Sequence, residues 1–428
     1  MHMMRRSAPA SLLAVLLLVL AGSCLPGPVR AARALAASGA SSSGGSSGED
    51  LSDTLAVIVL LTDTNFKGSD RIAMLRASIR LAAAHLAPAT PYRHYVFTLR
   101  EGLQQLREGL AGLLPGTGRR SGSSSSSSER SSSSGRGSSS GGGGSAGRVE
   151  VEEVAQLRVM EVPRHTWELP EAADDSSLWR GHWNRGYRLM GDWRLSSMCR
   201  IARELGHRYV LQFDDDSYIV GKVPSNLVAD FDAGGYSLGA QRLFVDSPLV
   251  TWGLPELARF FLLTQQLQPP TSLWAHCDPP DLTGLHSALL GGGGGADGGK
   301  EVELKGVRSL PGLPLRGGWD RQVLNGNCVL IALDWWFSPM VQRFVHLCRS
   351  SGAAAAYRWN EQSVLGMANH LFLPPERLAN LSSAVPYVHK LARRYKEALR
   401  LGGLEPEEEE AGEGAGEGEG AGEEGEEG

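Results

Sequence analysis

The run Arg208-Tyr209-Val210-Leu211-Gln212-Phe213, with the Asp214-Asp215-Asp216-Ser217-Tyr218-Ile219 that follows it, decides the fold. An aromatic and apolar run of this length reads as a short strand. It stops at three carboxylates, which a core does not accept unpaired, and apolar residues resume at once. Toward the N-terminus, Thr54-Leu55-Ala56-Val57-Ile58-Val59-Leu60-Leu61 is continuously apolar, the pattern of a strand covered on both faces in a parallel sheet. Thr62-Asp63-Thr64-Asn65 ends it with turn chemistry. Ile72, Leu75, Ile79 and Leu81 then mark a helix over about 70–85, and Tyr95-Val96-Phe97 is the next strand. Strand–helix–strand opens a doubly wound α/β fold. The same reading predicts a strand at 157–162 and a helix at 187–206 with Met190, Leu195, Met198 and Ile201 inward. Beyond the acidic triplet it predicts a strand at 328–333, helices at 339–350 and 361–371, and a closing Tyr387-Val388-His389. There is no internal repeat.

The 428 residues are not all core material. Arg5 and Arg6 precede an apolar run from Ala8 to Gly22, the pattern of a cleaved secretory signal or a type II membrane anchor. Residues 1–30 are assigned to that segment and 31–51 to a flexible stem. Residues 118–148 are a Ser/Gly/Arg tract and 284–299 a Gly-rich stretch, both read as surface insertions. Residues 401–428, largely Glu and Gly, lack the apolar surface to order themselves. That leaves one large domain over 52–400. The tail from Glu405 holds 12 Glu, so a formal charge of −5 leaves the rest of the chain near +7, with no concentrated basic stripe of the kind a nucleic-acid binder carries. Five cysteines, without C-x-x-C or zinc spacing, suit an oxidising lumen. Setting Cys24 aside with the N-terminal segment, Cys199, Cys277, Cys328 and Cys348 allow up to two disulfides in one of three pairings. Asn380-Leu381-Ser382 is an N-glycosylation sequon. The expected location is the secretory pathway, as a Golgi-lumenal type II membrane protein, with the endoplasmic reticulum or secretion as alternatives.

In an open α/β sheet, ligands bind beyond the carboxyl ends of the strands. The acidic triplet therefore stands where a ligand would lie. A D-x-D pair there can hold a divalent cation against the diphosphate of a nucleotide-sugar, neutralising the charge that develops as the diphosphate leaves. A calcium-binding or merely solvated acidic turn is the competing reading. Asp63, just past the first strand, is a nucleotide-contact candidate by topology.

Several further motifs, taken in order, carry a resemblance. These are Val162-Pro163-Arg164-His165-Thr166-Trp167-Glu168-Leu169-Pro170, Gly186-Tyr187-Arg188-Leu189-Met190, and the span from Asn327 to Trp336. Arg358-Trp359-Asn360-Glu361-Gln362-Ser363, Leu371-Phe372-Leu373-Pro374 and Tyr387-Val388-His389 follow. Over residues 54–390 the chain resembles family fifteen of the glycosyltransferases, the fungal-type α-1,2-mannosyltransferases. The resemblance implies a GT-A-like, mixed-sheet α/β fold and a retaining transfer of mannose from GDP-mannose to a glycan or glycoprotein acceptor in protein glycosylation, with Mn²⁺ as the metal. It implies Asp214, Asp216 and His389 as metal ligands, Glu361 and Asp216 as catalytic candidates, and Tyr187, Arg188, Asp215 and Trp359 as donor contacts beside Asp63. Read without it, Glu361 is a helix N-terminal acid, Trp359 and Tyr187 are packing residues, and His389 is a surface histidine.

Two departures stand out. Val329 occupies the place of an acid that the family carries in its N-F-E-I motif, and Gly191 the place of its cysteine. The first leaves open a changed donor such as UDP-galactose or UDP-glucose, a changed acceptor, or a catalytically inactive lumenal glycan-binding protein.

Overall fold

The computed structural model describes residues 50–63, 65–66, 69–114, 156–169, 185–246, 250–251, 253–268, 273, 275–277, 319–357, 359–389 and 395–406. Residues 1–49, the two expected insertions and the tail beyond 406 lie outside them, as do Arg358 and Pro170. Among the described residues no helix is long and apolar enough to cross a membrane.

The strands in chain order are β1 (Leu55–Leu60), β2 (Asn65–Phe66), β3 (Ser69–Asp70), β4 (Tyr92–Thr98), β5 (Leu157–Glu161), β6 (Tyr209–Phe213) and β7 (Ser217–Ile219). They continue with β8 (Leu238–Ala240), β9 (Leu243–Val245), β10 (Gln322–Leu324), β11 (Cys328–Ala332), β12 (Leu378–Asn380) and β13 (Tyr387–His389). Seven of them form one sheet in the order β12-β8-β11-β6-β1-β4-β5. Strands β6, β1, β4 and β5 run parallel, and β11 enters antiparallel between β6 and β8. This is the mixed α/β sheet of a GT-A-like fold.

Strand β1 explains why the sheet is covered on both sides. Ala56, Ile58 and Leu60 face one core cluster, Leu55, Val57, Val59 and Leu61 the other, and all seven are buried. Alternation into two cores is what a continuous apolar run encodes. Helix α1 (Arg71–His85) follows, started by the Asp70 side chain accepting from the Ala73 N–H, and its Leu75, Ile79 and Ala82 join the second cluster. Helix α2 (Leu103–Gly109) packs near β5. Arg185 to Glu204 is one helical stretch, α3 (Arg185–Trp193) and α4 (Cys199–Glu204), joined through a π-helical turn over Arg194–Met198. Helices α5 (Leu227–Gly234), α6 (Leu254–Thr264), α7 (Leu333–Trp336), α8 (Pro339–Ser350), α9 (Ala353–Ala356) and α10 (Glu361–Phe372) follow. Helix α11 (Tyr395–Leu401) and the buried Leu404 pack on α1, so the folded domain runs slightly past residue 400.

Of the up to two disulfides that the cysteines allow, none joins the described residues: Cys199, Cys277, Cys328 and Cys348 are buried thiols within the apolar core. Asn380 of the sequon is exposed, and its side-chain oxygen accepts from the Ser382 N–H at 2.9 Å.

Candidate functional site

Strand β6 ends at Phe213, and the chain turns at once: the Ser217 N–H donates to the Asp214 carbonyl at 3.1 Å. The reversal feeds β7, which pairs antiparallel with β13 in a two-stranded ribbon, His389 standing opposite Ser217. The ribbon thus brings the histidine beside the triplet. His389 Nε2 lies 3.2 Å from Asp216 Oδ1 and 4.0 Å from Asp214 Oδ2. Asp214, Asp216 and His389 each offer a ligand atom, and these atoms all lie within 4.8 Å of one another. Two carboxylates and an imidazole are a fitting donor set for Mn²⁺. The Asn327 Nδ2 lies beside both ring nitrogens of His389, 2.7 Å from Nδ1 and in contact with Nε2.

The triplet is backed by two guanidinium groups. Arg71, at the start of α1, grips both oxygens of Asp215. Burial pulls the Arg71 pKa down, but the three carboxylates around it outweigh that and hold it charged. Arg194, the first residue of the π-helical turn, is 5% exposed and bridges two acids. Its Nη1 donates to Glu361 Oε1 at 2.7 Å and its Nη2 to Asp214 Oδ1. Burial opposes its charge too, and Asp214 and Glu361 more than restore it. Glu361 Oε1 also accepts from Gln212 Nε2 at 3.3 Å, whereas Glu361 Oε2 is buried without a partner. Burial would raise the Asp216 carboxyl, yet His389 and Arg71 prevail and keep it below the usual carboxylate range.

These groups border a cleft of about 770 Å³ at the carboxyl ends of β1 and β6. Of the residues expected from sequence, Asp63, Tyr187, Asp214, Asp215, Asp216 and His389 line it. Three others do not. Trp359 is 3% exposed and packs among the core residues near Gly253 and Tyr357, so no ring face is open for a sugar. Arg188 is buried one helical position behind Tyr187. Glu361 is buried behind Arg194 instead of on the cleft wall, which removes it from direct contact with a substrate in this arrangement. The geometry adds Arg71, Arg194, Arg242, Asp246, Asn325 and Asn327. Arg71 carries a weak sequence signal, being the first residue of a helix that follows a strand end. Arg194 and Asn327 carry none beyond their proximity to recognised motifs.

No family model matches the sequence, and no curated protein matches it. Solved structures do match. Core-mannan synthase A from Aspergillus fumigatus, in a Mn/GDP form, superposes with a TM-score of 0.52 at 11% identity, over 82% of this chain and 77% of that one. The mannosyltransferase Ktr4p from S. cerevisiae gives 0.54 at 12% identity, over 80% of this chain and 73% of that one. The same yeast protein in complex with GDP gives 0.52. At such identity the likeness is one of architecture: the chain has the GT-A-like fold of these two fungal mannosyltransferases.

Proposed function

We propose that the chain is a mannosyltransferase that passes mannose from GDP-mannose, with retained configuration and α-1,2 linkage, to a hydroxyl of a glycan acceptor in the lumen of the secretory pathway. The N-terminal apolar segment would deliver or anchor it there. One observation carries this reading. Asp214 and Asp216 from the middle of the domain and His389 from its C-terminal end converge beyond the carboxyl end of β6 on a cleft large enough for a nucleotide-sugar. The sequence motifs and the fold shared with proteins solved with GDP support the choice of donor.

Asp214, Asp216 and His389 would hold a Mn²⁺, whose charge would stabilise the departing diphosphate. Asn327 fixes the His389 ring, and Arg71 fixes Asp215 and with it the backbone of the triplet. Tyr187 and Asp63 stand on the cleft wall, where they would contact the nucleotide. No carboxylate is presented as a nucleophile from β11, where Val329 is fully buried, and Glu361 is turned to Arg194. That favours front-face attack. The acceptor hydroxyl would approach the anomeric carbon on the side of the leaving phosphate, the C–O bond to the new sugar would form as the bond to phosphate breaks, and the hydroxyl proton would pass to the phosphate oxygen.

Thermal unfolding with Mn²⁺ plus GDP or UDP tests the reading, since a ligand that binds only the folded state raises stability by about 2.7 kcal/mol at a hundredfold excess over Kd. A rise with GDP that EDTA removes is the expected result. A rise with UDP alone would replace the donor. Val329 also favours a second reading, a lumenal glycan-binding protein without turnover. That protein would be stabilised by ligand yet release no mannose from GDP-mannose.

A further inference from the structure

Glu361 stands where a catalytic acid was expected, but it does not face the cleft. It is 3% exposed, its Oε1 is held by Arg194 and Gln212, and its Oε2 is buried with no partner. The surroundings are built to keep it there. A Cβ on Gly191 would stand 3.4 Å from Oε2, and one on Gly326 would stand 3.2 Å from Oε1. At Gly326 the added carbon would also meet Gln362 Cγ at 2.4 Å, so glycine there lets the loop before β11 close over the carboxylate, whereas the distance at Gly191 is an ordinary contact. A carboxylate enclosed in this way costs free energy unless it is paired. Here it has one charged partner, Arg194, and Arg194 spends its other terminal nitrogen on Asp214 Oδ1.

The resulting chain runs from Glu361 through Arg194 to Asp214. With Oδ1 held by Arg194, Oδ2 is the oxygen of Asp214 that lies toward His389. Arg194 sits at the first position of a π-helical turn. Such turns are frequent at functional sites, and here the guanidinium lies buried on a helix whose other buried residues are mostly apolar. Partners that orient ligating groups fix the ligand's geometry and typically change metal affinity roughly 10–100-fold when removed.

We infer that Arg194, anchored by Glu361, is a positioning residue that fixes Asp214 for cation binding, and that Glu361 acts through Arg194 and not on the substrate. The inference rests on the metal site proposed above. A purely electrostatic role has the opposite sign. A guanidinium that only offset the charge of Asp214 would weaken cation binding, and its removal would tighten it.

The test is direct Mn²⁺ binding to the full chain, followed by electron paramagnetic resonance of the free ion, with the melting temperature read in parallel. Arg194→Met alone leaves Glu361 buried and unpaired and is expected to fold poorly. The double variant Arg194→Met/Glu361→Met removes the pair as a unit with similar volume, and is expected to restore the melting temperature without restoring binding. Its Mn²⁺ affinity should be at least tenfold below wild type. Arg194→Lys keeps the charge but cannot bridge two carboxylates in the same way, and it should show a loss of similar size. Wild-type affinity, or tighter binding, in the folded double variant would overturn the inference while leaving the metal site standing. Absence of Mn²⁺ binding by the wild type would overturn the metal site and the inference together.

Discussion

A histidine presents one ring nitrogen to a cation reliably only when the other is held by a hydrogen-bond partner. Beside His389 stands the Asn327 amide, whose nitrogen lies 2.7 Å from Nδ1 and also contacts Nε2. A cation on Nε2 would leave this amide Nδ1 as its partner on the ring, with the amide oxygen turned to accept from Nδ1–H. Asn327→Ala removes this hold without touching a ligand. It should weaken Mn²⁺ binding about 10–100-fold while the apo protein melts within a few degrees of wild type, as metal titration and calorimetry would record. Equal affinity in the variant would mean that the β7–β13 ribbon alone orients the ring. At this scale the sequence was legible where chemistry is local. Three consecutive carboxylates at a strand end announce themselves, and His389 followed from a motif. Arg71 and Arg194 did not, because their meaning lies in partners 144 and 167 residues away, Asp215 and Glu361. Glu361 and Trp359 were misplaced for a related reason: a motif fixes a residue's position in the chain, whereas the rotamer and the packing decide whether it faces the cleft or the core.

Among the elements, long periodic segments were readable and short ones were not. Helices α8 and α10 match the apolar spacing to within a residue of their expected ends, and β1, β6 and β11 follow from unbroken apolar runs. Strands β8, β9, β10 and β12 have three residues each, too few for any period to emerge. Their pairing is set by neighbours far off in sequence, as in the β9–β10 ribbon that carries Phe244 to the cleft. One glycine holds that ribbon against α10. A Cβ on Gly366 would meet Val323 Cγ1 at 2.8 Å, its Cβ at 2.9 Å and its backbone Cα at 3.0 Å. Alanine gains roughly 1 kcal/mol of helix propensity, but the clash includes main chain that cannot rotate away, and overpacking of this kind costs about 1–3 kcal/mol. The clash wins. Gly366→Ala should therefore lower the urea midpoint and, by displacing β10, loosen Asn325 and Asn327 at the cleft. A midpoint at or above wild type would mean that the helix shifts outward at no cost.

Across the whole molecule, buried histidines set how stability should vary in acid: burial pushes the His370 ring down to about 4, and His94 is held lower still. His94 lies in the middle of β4, beside β1 in register with Val57, at the centre of the parallel half of the sheet. It is fully buried, and neither ring nitrogen has a hydrogen-bond partner. Burial favours the neutral ring and pushes its pKa down to about 3. The sign follows from proton uptake. The unfolded chain binds a proton near pH 6.5 and the folded one does not, so stability is full above that pH and falls as the pH drops toward 3. The slope from this one group is about 1.4 kcal/mol per pH unit, or on the order of 2 kcal/mol by pH 5. His94→Leu removes the titration and two unpaired nitrogens from the centre of the sheet. It should leave stability at pH 7 unchanged or higher and flatten the decline between pH 6.5 and 4, measured as urea unfolding free energy against pH. Burial pushes the Asp215 carboxyl up to about 6, above its unfolded value near 4, so its contribution to stability rises as the pH falls through that window, opposite in sign to that of His94 and common to wild type and variant. Wild type and variant declining in parallel from pH 6.5 would show that the folded sheet admits the charged ring, and that the centre of the fold is less dry than its packing implies.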